Sequence, residues 1–196
     1  MRRSSVVLTA AALVLTIAAP AFAQQRQQAR QARRPVPDKG MAAVGVSVGA
    51  ALPNEPSFTN GWDLAANVEG YLTPRVSVRG QLSGAWWDIF GHSYPGTVDP
   101  LVLDGNLVYN FEHGVWHPYL TGGVGMYHYR FTEGSTTSSD TKAGFNLGGG
   151  VEFFLSRHDT VTGEVLSHIV PGDAHGALNV YKPDFWSIMF GYKRYF

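Results

Sequence analysis

The sequence predicts an all-β fold, an eight-stranded antiparallel up-and-down transmembrane β-barrel. Three observations carry this. Eight segments alternate apolar and polar residues with period two, each near the ~9–11 residues a tilted strand needs to cross a bilayer. After residue 24 no apolar run approaches the ~20 residues of a spanning helix, and a closed barrel is the only other structure that satisfies its backbone in hydrocarbon. The last segment, 185–196, puts Trp186, Ile188, Phe190, Tyr192 and Phe196 on one parity and Ser187, Met189, Gly191 and Lys193 on the other. An aromatic strand left as a sheet edge invites aggregation, and closing it onto the first strand removes the edge.

The amino terminus fits an exported chain. Arg2 and Arg3 precede an apolar run, 6–19, and Ala21-Phe22-Ala23 is a small-x-small cleavage site, so 1–23 is expected to be a signal peptide and Gln24 the first mature residue. The run is too short for a transmembrane anchor. Residues 24–40 carry Arg26, Arg30, Arg33, Arg34 and Lys39 against Asp38, with Pro35 and Pro37, and are expected to be a disordered Gln/Arg-rich linker. Five positive charges in such a tail suit contact with anionic lipid headgroups, and no nucleic-acid partner is expected. From Met41 onward the body, 41–196, is acidic, with 14 acidic and 8 basic residues. With no cysteine, an exported chain has to hold together by sheet and side-chain packing. Charged residues are 15% and glycines number 23, a composition that excludes a charged disordered chain and a helical bundle.

The strands read in order. In 41–52, Ala42, Val44, Val46, Val48, Ala50 and Leu52 oppose Ala43, Gly45, Ser47, Gly49 and Ala51. In 61–72, Trp62, Leu64, Ala66, Val68 and Leu72 oppose Asp63, Asn67, Glu69 and Tyr71; in 76–87, Val76, Val78, Leu82 and Trp86 oppose Ser77, Arg79, Gln81 and Ser83. In 101–111, Leu101, Leu103, Leu107, Tyr109 and Phe111 oppose Asp104, Asn106 and Asn110. In 118–129, Leu120, Val124 and Met126 oppose Tyr119, Thr121, Gly123, Gly125 and Tyr127; in 143–155, Phe145, Leu147, Val151, Phe153 and Leu155 oppose Asn146, Gly148, Gly150, Glu152 and Phe154. The weakest pattern is 160–170, where Val161, Val165 and Ile169 oppose Thr162, Glu164 and His168. Segment 185–196 is the eighth.

Connections alternate between short (73–75, 112–117, 156–159) and long (53–60, 88–100, 130–142, 171–183), as short turns on one side of a membrane and loops on the other require. An even strand count puts both ends of the barrel on the turn side. Trp62, Trp86, Trp87, Trp116, Trp186 and Phe196 sit near strand ends, where interfacial girdles belong. A soluble eight-stranded barrel such as a lipocalin would turn the apolar parity inward; the aromatic closing strand and the Asn, Gln, Glu, Arg and Gly of the polar parity favour lipid outside.

The stretches 71–80 (YLTPRVSVRG), 118–125 (PYLTGGVG) and 144–152 (GFNLGGGVE) resemble the outer-membrane protein β-barrel family, the OmpA-like eight-stranded domain, over essentially all of 41–196. The resemblance implies the outer membrane, barrel termini on the periplasmic side, and outer-membrane lipid and lipopolysaccharide as surroundings. It also implies contact with the barrel-assembly machinery, through an ending in which Gly191, Tyr192 and Phe196 match the assembly signal and Arg194 stands where a hydrophobic residue is usual. No peptidoglycan-binding domain follows Phe196, so a wall-tethering role is not expected.

Inward charges are the candidate functional residues. A hairpin centred on Pro74 sets Glu69 opposite Arg79, a stabilising cross-strand pair. A hairpin centred on His158 sets Glu152 opposite Glu164, two carboxylates that need a cation between them, with Lys193 or Arg79 the candidates. The expectation is a lumen belt of Glu69, Arg79, Glu152, Glu164 and Lys193 that plugs a barrel just wide enough for its own side chains; the competing role for the same belt is a charge gate in a narrow small-solute or ion pore.

Catalytic, cofactor and metal residues are not expected. A lipid A hydrolase of this size would carry His-x-Ser on a late strand with a nearby Glu. Here His168-Ile169-Val170 lacks the serine, and Ser167 points the other way. His113 and His117 flank a turn, and Asp173 and His175 share a loop with nothing to complete a metal site. Gly148-Gly149-Gly150 lies inside a strand, where it relieves crowding rather than binding phosphate. The long loops 88–100 and 130–142 are polar and exposed enough for recognition by an adhesin or receptor. The reading is a monomeric envelope barrel with a structural role, a pore second and surface binding third.

Overall fold

In a computed structural model the described residues are 37–90, 96–111, 115–175 and 180–196; the expected signal peptide, linker residues 24–36 and His113 lie outside them. The alternating segments form β1 (Ala42–Pro53), β2 (Gly61–Tyr71), β3 (Val76–Ile89), β4 (Gly96–Asn110), β5 (Trp116–Glu133), β6 (Thr136–Phe154) and β7 (Asp159–Ile169). A two-residue pair, β8 (Ala174–His175) and β9 (Val180–Tyr181), precedes β10 (Phe185–Tyr195). Every barrel strand pairs antiparallel with its neighbours, and β10 closes on β1 through eleven register pairs from Ala43↔Tyr195 to Pro53↔Phe185. Phe196 extends this seam: its amide donates to the Ala42 carbonyl at 2.8 Å. The sheet is a closed eight-stranded barrel with no edge among these strands.

Stepping around the barrel from Ala43 through Glu69, Arg79, Asn106, Gly123, Asn146, His168 and Phe185 returns to β1 at Pro53, ten residues from the start. A ten-residue shear over eight strands sets a tilt of about 40°. An 11-residue strand such as β2 then projects to about 28 Å, enough for an apolar band of about 25 Å.

The two parities face opposite ways. Val46, Leu64, Leu103, Leu147 and Phe190 point out and are exposed, while Glu69, Arg79, Asp104, Glu152 and Lys193 point in and are buried. Trp87 departs from the girdle expectation. It is 4% exposed and packs inside, because it follows Trp86 directly and consecutive strand residues face opposite sides.

Two long loops are shorter than expected. Most of 130–142 is strand: β5 and β6 pair as far as Glu133↔Thr136, leaving a turn at Gly134-Ser135 in which Gly134 has φ 61°. Likewise β3 and β4 reach Ile89↔Gly96. Along this stretch neither face of β6 is buried, so Thr136, Thr137, Ser138, Ser139 and Thr141 form a ladder without the apolar alternation by which the other strands are read.

The β6–β7 hairpin corrects an expected register. The Leu155 and Ser156 amides both donate to the Asp159 carbonyl (2.9 and 3.2 Å), and Ser156 Oγ accepts from the His158 and Asp159 amides (both 3.1 Å). That turn centres the hairpin on Arg157 and pairs Phe154 with Thr160, so Glu152 faces Thr162 and Glu164 faces Gly150. The carboxylates are not opposite one another.

Gly150 has no room for a side chain: a Cβ there would lie 2.3 Å from the Gly163 carbonyl oxygen and 2.5 Å from Tyr119 Oη. Gly150→Ala is expected to lower the unfolding free energy by about 1–3 kcal/mol. Gly70→Ala, which adds a methyl where nothing lies within 4 Å, is expected to change it by less than about 0.5 kcal/mol. Urea unfolding in lipid vesicles measures both.

Candidate functional site

The lumen is built in layers. At the turn end, Met41, Ala43, Tyr71, Phe154 and Tyr195 form an apolar floor. His117 lies against Phe154, with ring centroids 4.7 Å apart. Above the floor, Glu69 on β2, Arg79 on β3, Glu152 on β6, Glu164 on β7 and Lys193 on β10 converge. Arg79 Nε donates to Glu69 Oε2 at 3.1 Å and Arg79 Nη1 to Glu164 Oε2 at 2.5 Å. Lys193 Nζ donates to Glu69 Oε2 at 2.7 Å and to Glu152. Glu69, shared by both cations, joins the five into one network, in the order Glu164–Arg79–Glu69–Lys193–Glu152.

Three carboxylates against two cations leave an excess of acceptors, and neutral donors fill it. Tyr119 Oη donates to Glu164 Oε2 at 2.7 Å, Ser77 to Glu69, and Tyr195 to Glu152. Arg79 also lies over the Tyr119 ring, 5.2 Å from its centroid. All five charged residues are at most 9% exposed. Beside them the free space amounts to about 10 Å³, room for about one water.

Sequence reasoning places these five on the inward parity, with Tyr119 and Ser77 beside them, but does not single out Tyr119, Tyr195 and Ser77 as donors to the belt, since inward Tyr and Ser suit any packed lumen. Nor does it find the layer at the loop end. There Phe58, Trp87, Phe131, Tyr181 and Phe185 pack with Ile89, Val98 and Tyr129 into an apolar cluster. Phe58 and Tyr181 come from the loops and meet with ring centroids 5.0 Å apart; Tyr181 stacks on Phe131 and Trp87 tilts against Phe185. Tyr181 Oη donates to Glu133 Oε1 (2.5 Å) and Tyr129 Oη to the Pro183 carbonyl (2.8 Å), tying the loop to the barrel. The signal for this layer is the large aromatics Trp87, Phe131 and Phe185 on the inward parity near strand ends.

Between this cluster and the belt, Ser187 Oγ donates to Asp63 Oδ2 (2.5 Å) and lies 3.3 Å from His168 Nε2, while His168 Nδ1 lies 3.1 Å from Tyr127 Oη. His168 is stacked on Phe185 and 1% exposed, on the lumen side of the wall and turned away from the lipid face. His175 donates its amide to Asp140 Oδ2 at 3.0 Å in the loop region. Among the described residues no group of three or more His, Cys, Asp or Glu is placed to hold a metal ion.

In the closing strand Gly191 faces in, where a Cβ would come within 2.7 Å of Thr162 Oγ1 and of the Val46 carbonyl oxygen. Tyr192 and Phe196 face out, and Tyr192 Oη donates to Asp159.

A family model described as the outer membrane protein beta-barrel domain matches residues 9–193. The chain belongs to this family. Three solved outer-membrane barrels share its fold. OprG from Pseudomonas aeruginosa has a TM-score of 0.70 at 14% identity, over 83% of this chain and 99% of that one. Neisserial surface protein A has 0.60 at 12%, over 80% and 99%. Ail, the attachment invasion locus protein of Yersinia pestis, has 0.56 at 14%, over 81% and 99%. No curated protein sequence matches the chain significantly. Membership makes this an outer-membrane barrel, whose exposed apolar parity faces hydrocarbon.

Arg79→Met leaves Glu164 with Tyr119 alone and removes one of the two cations on Glu69. Breaking a buried pair from one side typically costs about 3–5 kcal/mol, and that loss is expected here in urea unfolding in vesicles. Arg194→Ala, which breaks the exposed Arg194–Asp159 pair, is expected to leave the midpoint unchanged.

Proposed function

We propose that this protein is a monomeric, non-enzymatic outer-membrane barrel whose role is structural, supporting envelope integrity with a lumen sealed to solutes. The observation that carries this reading is the network Glu164–Arg79–Glu69–Lys193–Glu152 across the lumen with about 10 Å³ of space beside it. A conducting path needs water-filled space and weakly held charges. Here the charges hold one another, and the apolar cluster around Phe58 and Tyr181 covers the opposite end.

In this reading the turn end and both barrel termini face the periplasm and the β5–β6 hairpin projects outward. A basic linker trails on the periplasmic side after signal-peptide removal. Gly191, Tyr192 and Phe196 present the closing strand to the barrel-assembly machinery before the β1–β10 seam forms. Lipid hydrolysis is disfavoured because His168 faces the lumen, where acyl chains do not reach.

Planar-bilayer recording of the refolded chain tests the seal. The expected result is no steady current, for the wild type and for Glu164→Gln alike. Steady currents altered by Glu164→Gln would make the belt a charge gate and the barrel a pore.

A further inference from the structure

The belt satisfies its own three carboxylates, and two more point into the lumen. Among the described residues between the floor and the loop-end cluster, Asp63 and Asp104 are buried along with Glu69, Glu152 and Glu164. The cations of that region, Arg79 and Lys193, pair with the belt's glutamates. Asp63 accepts from Ser187 and Asp104 from Asn106, each through one oxygen. Asp63 Oδ1 and Asp104 Oδ2 have no hydrogen-bond partner. A buried carboxylate without a cation is costly, so what surrounds it decides how its charge is met.

Asp104 stands among oxygens. Asn106 donates through Nδ2 to Asp104 Oδ1, which turns its own carbonyl the other way, over Gly123 of β5. A Cβ on Gly123 would collide with Asn106 Oδ1 and with the Gly105 carbonyl oxygen, and one on Gly125 would come within 2.8 Å of Asp104 Cβ. Gly123 pairs with Asn106 on one side and with Asn146 on the other, so the two asparagines face each other across a residue that has no side chain. Thr121 is the next inward residue along β5, about 7 Å away along the strand. Asp104 Oδ2, Asn106 Oδ1, Thr121 Oγ1 and both amide atoms of Asn146 have no hydrogen-bond partner, and these four residues are at most 4% exposed.

We propose that Asp104, Asn106, Asn146 and Thr121 hold one calcium ion on the β4–β6 side of the lumen, with the Gly105 carbonyl oxygen beside it. The donor set is one carboxylate, two amide carbonyls and a hydroxyl, which is what a hard cation takes. Calcium accepts about six to eight such oxygens in irregular geometry, whereas magnesium demands an octahedron and keeps several waters, which residues this buried do not admit. Softer metals want thiolate or imidazole. The chain has no cysteine, and both ring nitrogens of His168, the register partner of Asn146, already face Ser187 and Tyr127. Five inward carboxylates against two cations leave a negative field that draws in a divalent ion. With a single carboxylate, the set differs from the clusters of three or more His, Cys, Asp or Glu that are absent among the described residues.

Refolding the full chain in a neutral detergent with calcium, with magnesium or with a chelator, followed by desalting and elemental analysis, tests the site. The expected result is about one calcium per chain and no magnesium, with a higher urea midpoint after refolding in calcium than in chelator. Asp104→Asn keeps the shape and removes the charge, and Asn146→Ala removes a carbonyl. Each is expected to retain at least about tenfold less calcium and to lose the calcium-dependent midpoint shift. Asp140→Asn, which removes a loop carboxylate outside this layer, is expected to keep both, and heat-dependent gel mobility confirms that each variant folds. A wild type that retains no calcium overturns the proposal, as does undiminished calcium in Asp104→Asn. Loss in Asp140→Asn would put the ion on the surface. Magnesium retained as well as calcium would mean charge screening without coordination, and equal midpoints in calcium and chelator would leave Asp104 with a proton instead; each of these outcomes removes the site.

Discussion

The structure depends on one constraint: five charged side chains are buried together in the lumen with about 10 Å³ of space beside them, and one another and a few hydroxyls satisfy them. Glu69 lies at the centre because two cations from different strands share it, Arg79 next to it in the sheet and Lys193 from across the β1 strand. Removing either cation leaves a carboxylate in a space that cannot hydrate it. Gly150 of β6 follows from the same constraint. Tyr119 reaches Glu164 because Gly150 lies where a side chain would block its hydroxyl.

Lipid outside changes what a core means. The outward Leu, Val and Phe lose nothing by facing acyl chains, so their contact with hydrocarbon stabilises the fold less than burial does in a water-soluble protein. The packing that distinguishes this barrel lies inside, in three layers. The aromatic floor and the aromatic cluster at the loop end bury the ionic layer between them, and ion pairs are stronger where solvent exposure is low. The layers are cooperative in that sense, since ion pairs this close would be worth little in contact with bulk water.

Most of the fold was legible because lipid imposes a strict period. Val44, Val46 and Val48 alternate with Ala43, Gly45 and Ser47, and the faces follow from that alone. The Glu69–Arg79 register was legible because Thr73-Pro74-Arg75 admits a short turn. The Glu152–Glu164 register was not, because Ser156 accepts from two backbone amides and moves the hairpin centre by one residue, which shifts the pairing by two. The extension of β4, β5 and β6 was hidden for a different reason: there the outward face turns polar, so in β4 and β5 the apolar residues Val98 and Phe131 lie on the inward parity instead, and in β6 both faces are polar and the period disappears. Trp87 was placed in the girdle by its nearness to Trp86, although adjacency itself puts one of the two inside. The floor and seal draw on residues from loops and termini, such as Phe58, Tyr181 and Met41, and only closure of the chain shows which of those meet.

The central claim is that the belt acts as one coupled unit, with residues distant in sequence locked by burial. A double-mutant cycle of Glu69→Gln and Lys193→Met, in vesicles and by urea unfolding, tests this most directly. The two groups are 2.7 Å apart and 124 positions apart in the chain. The account predicts a coupling energy of about 1–3 kcal/mol. Additivity within about 0.5 kcal/mol would mean that the charges neither sense one another nor hold the lumen closed.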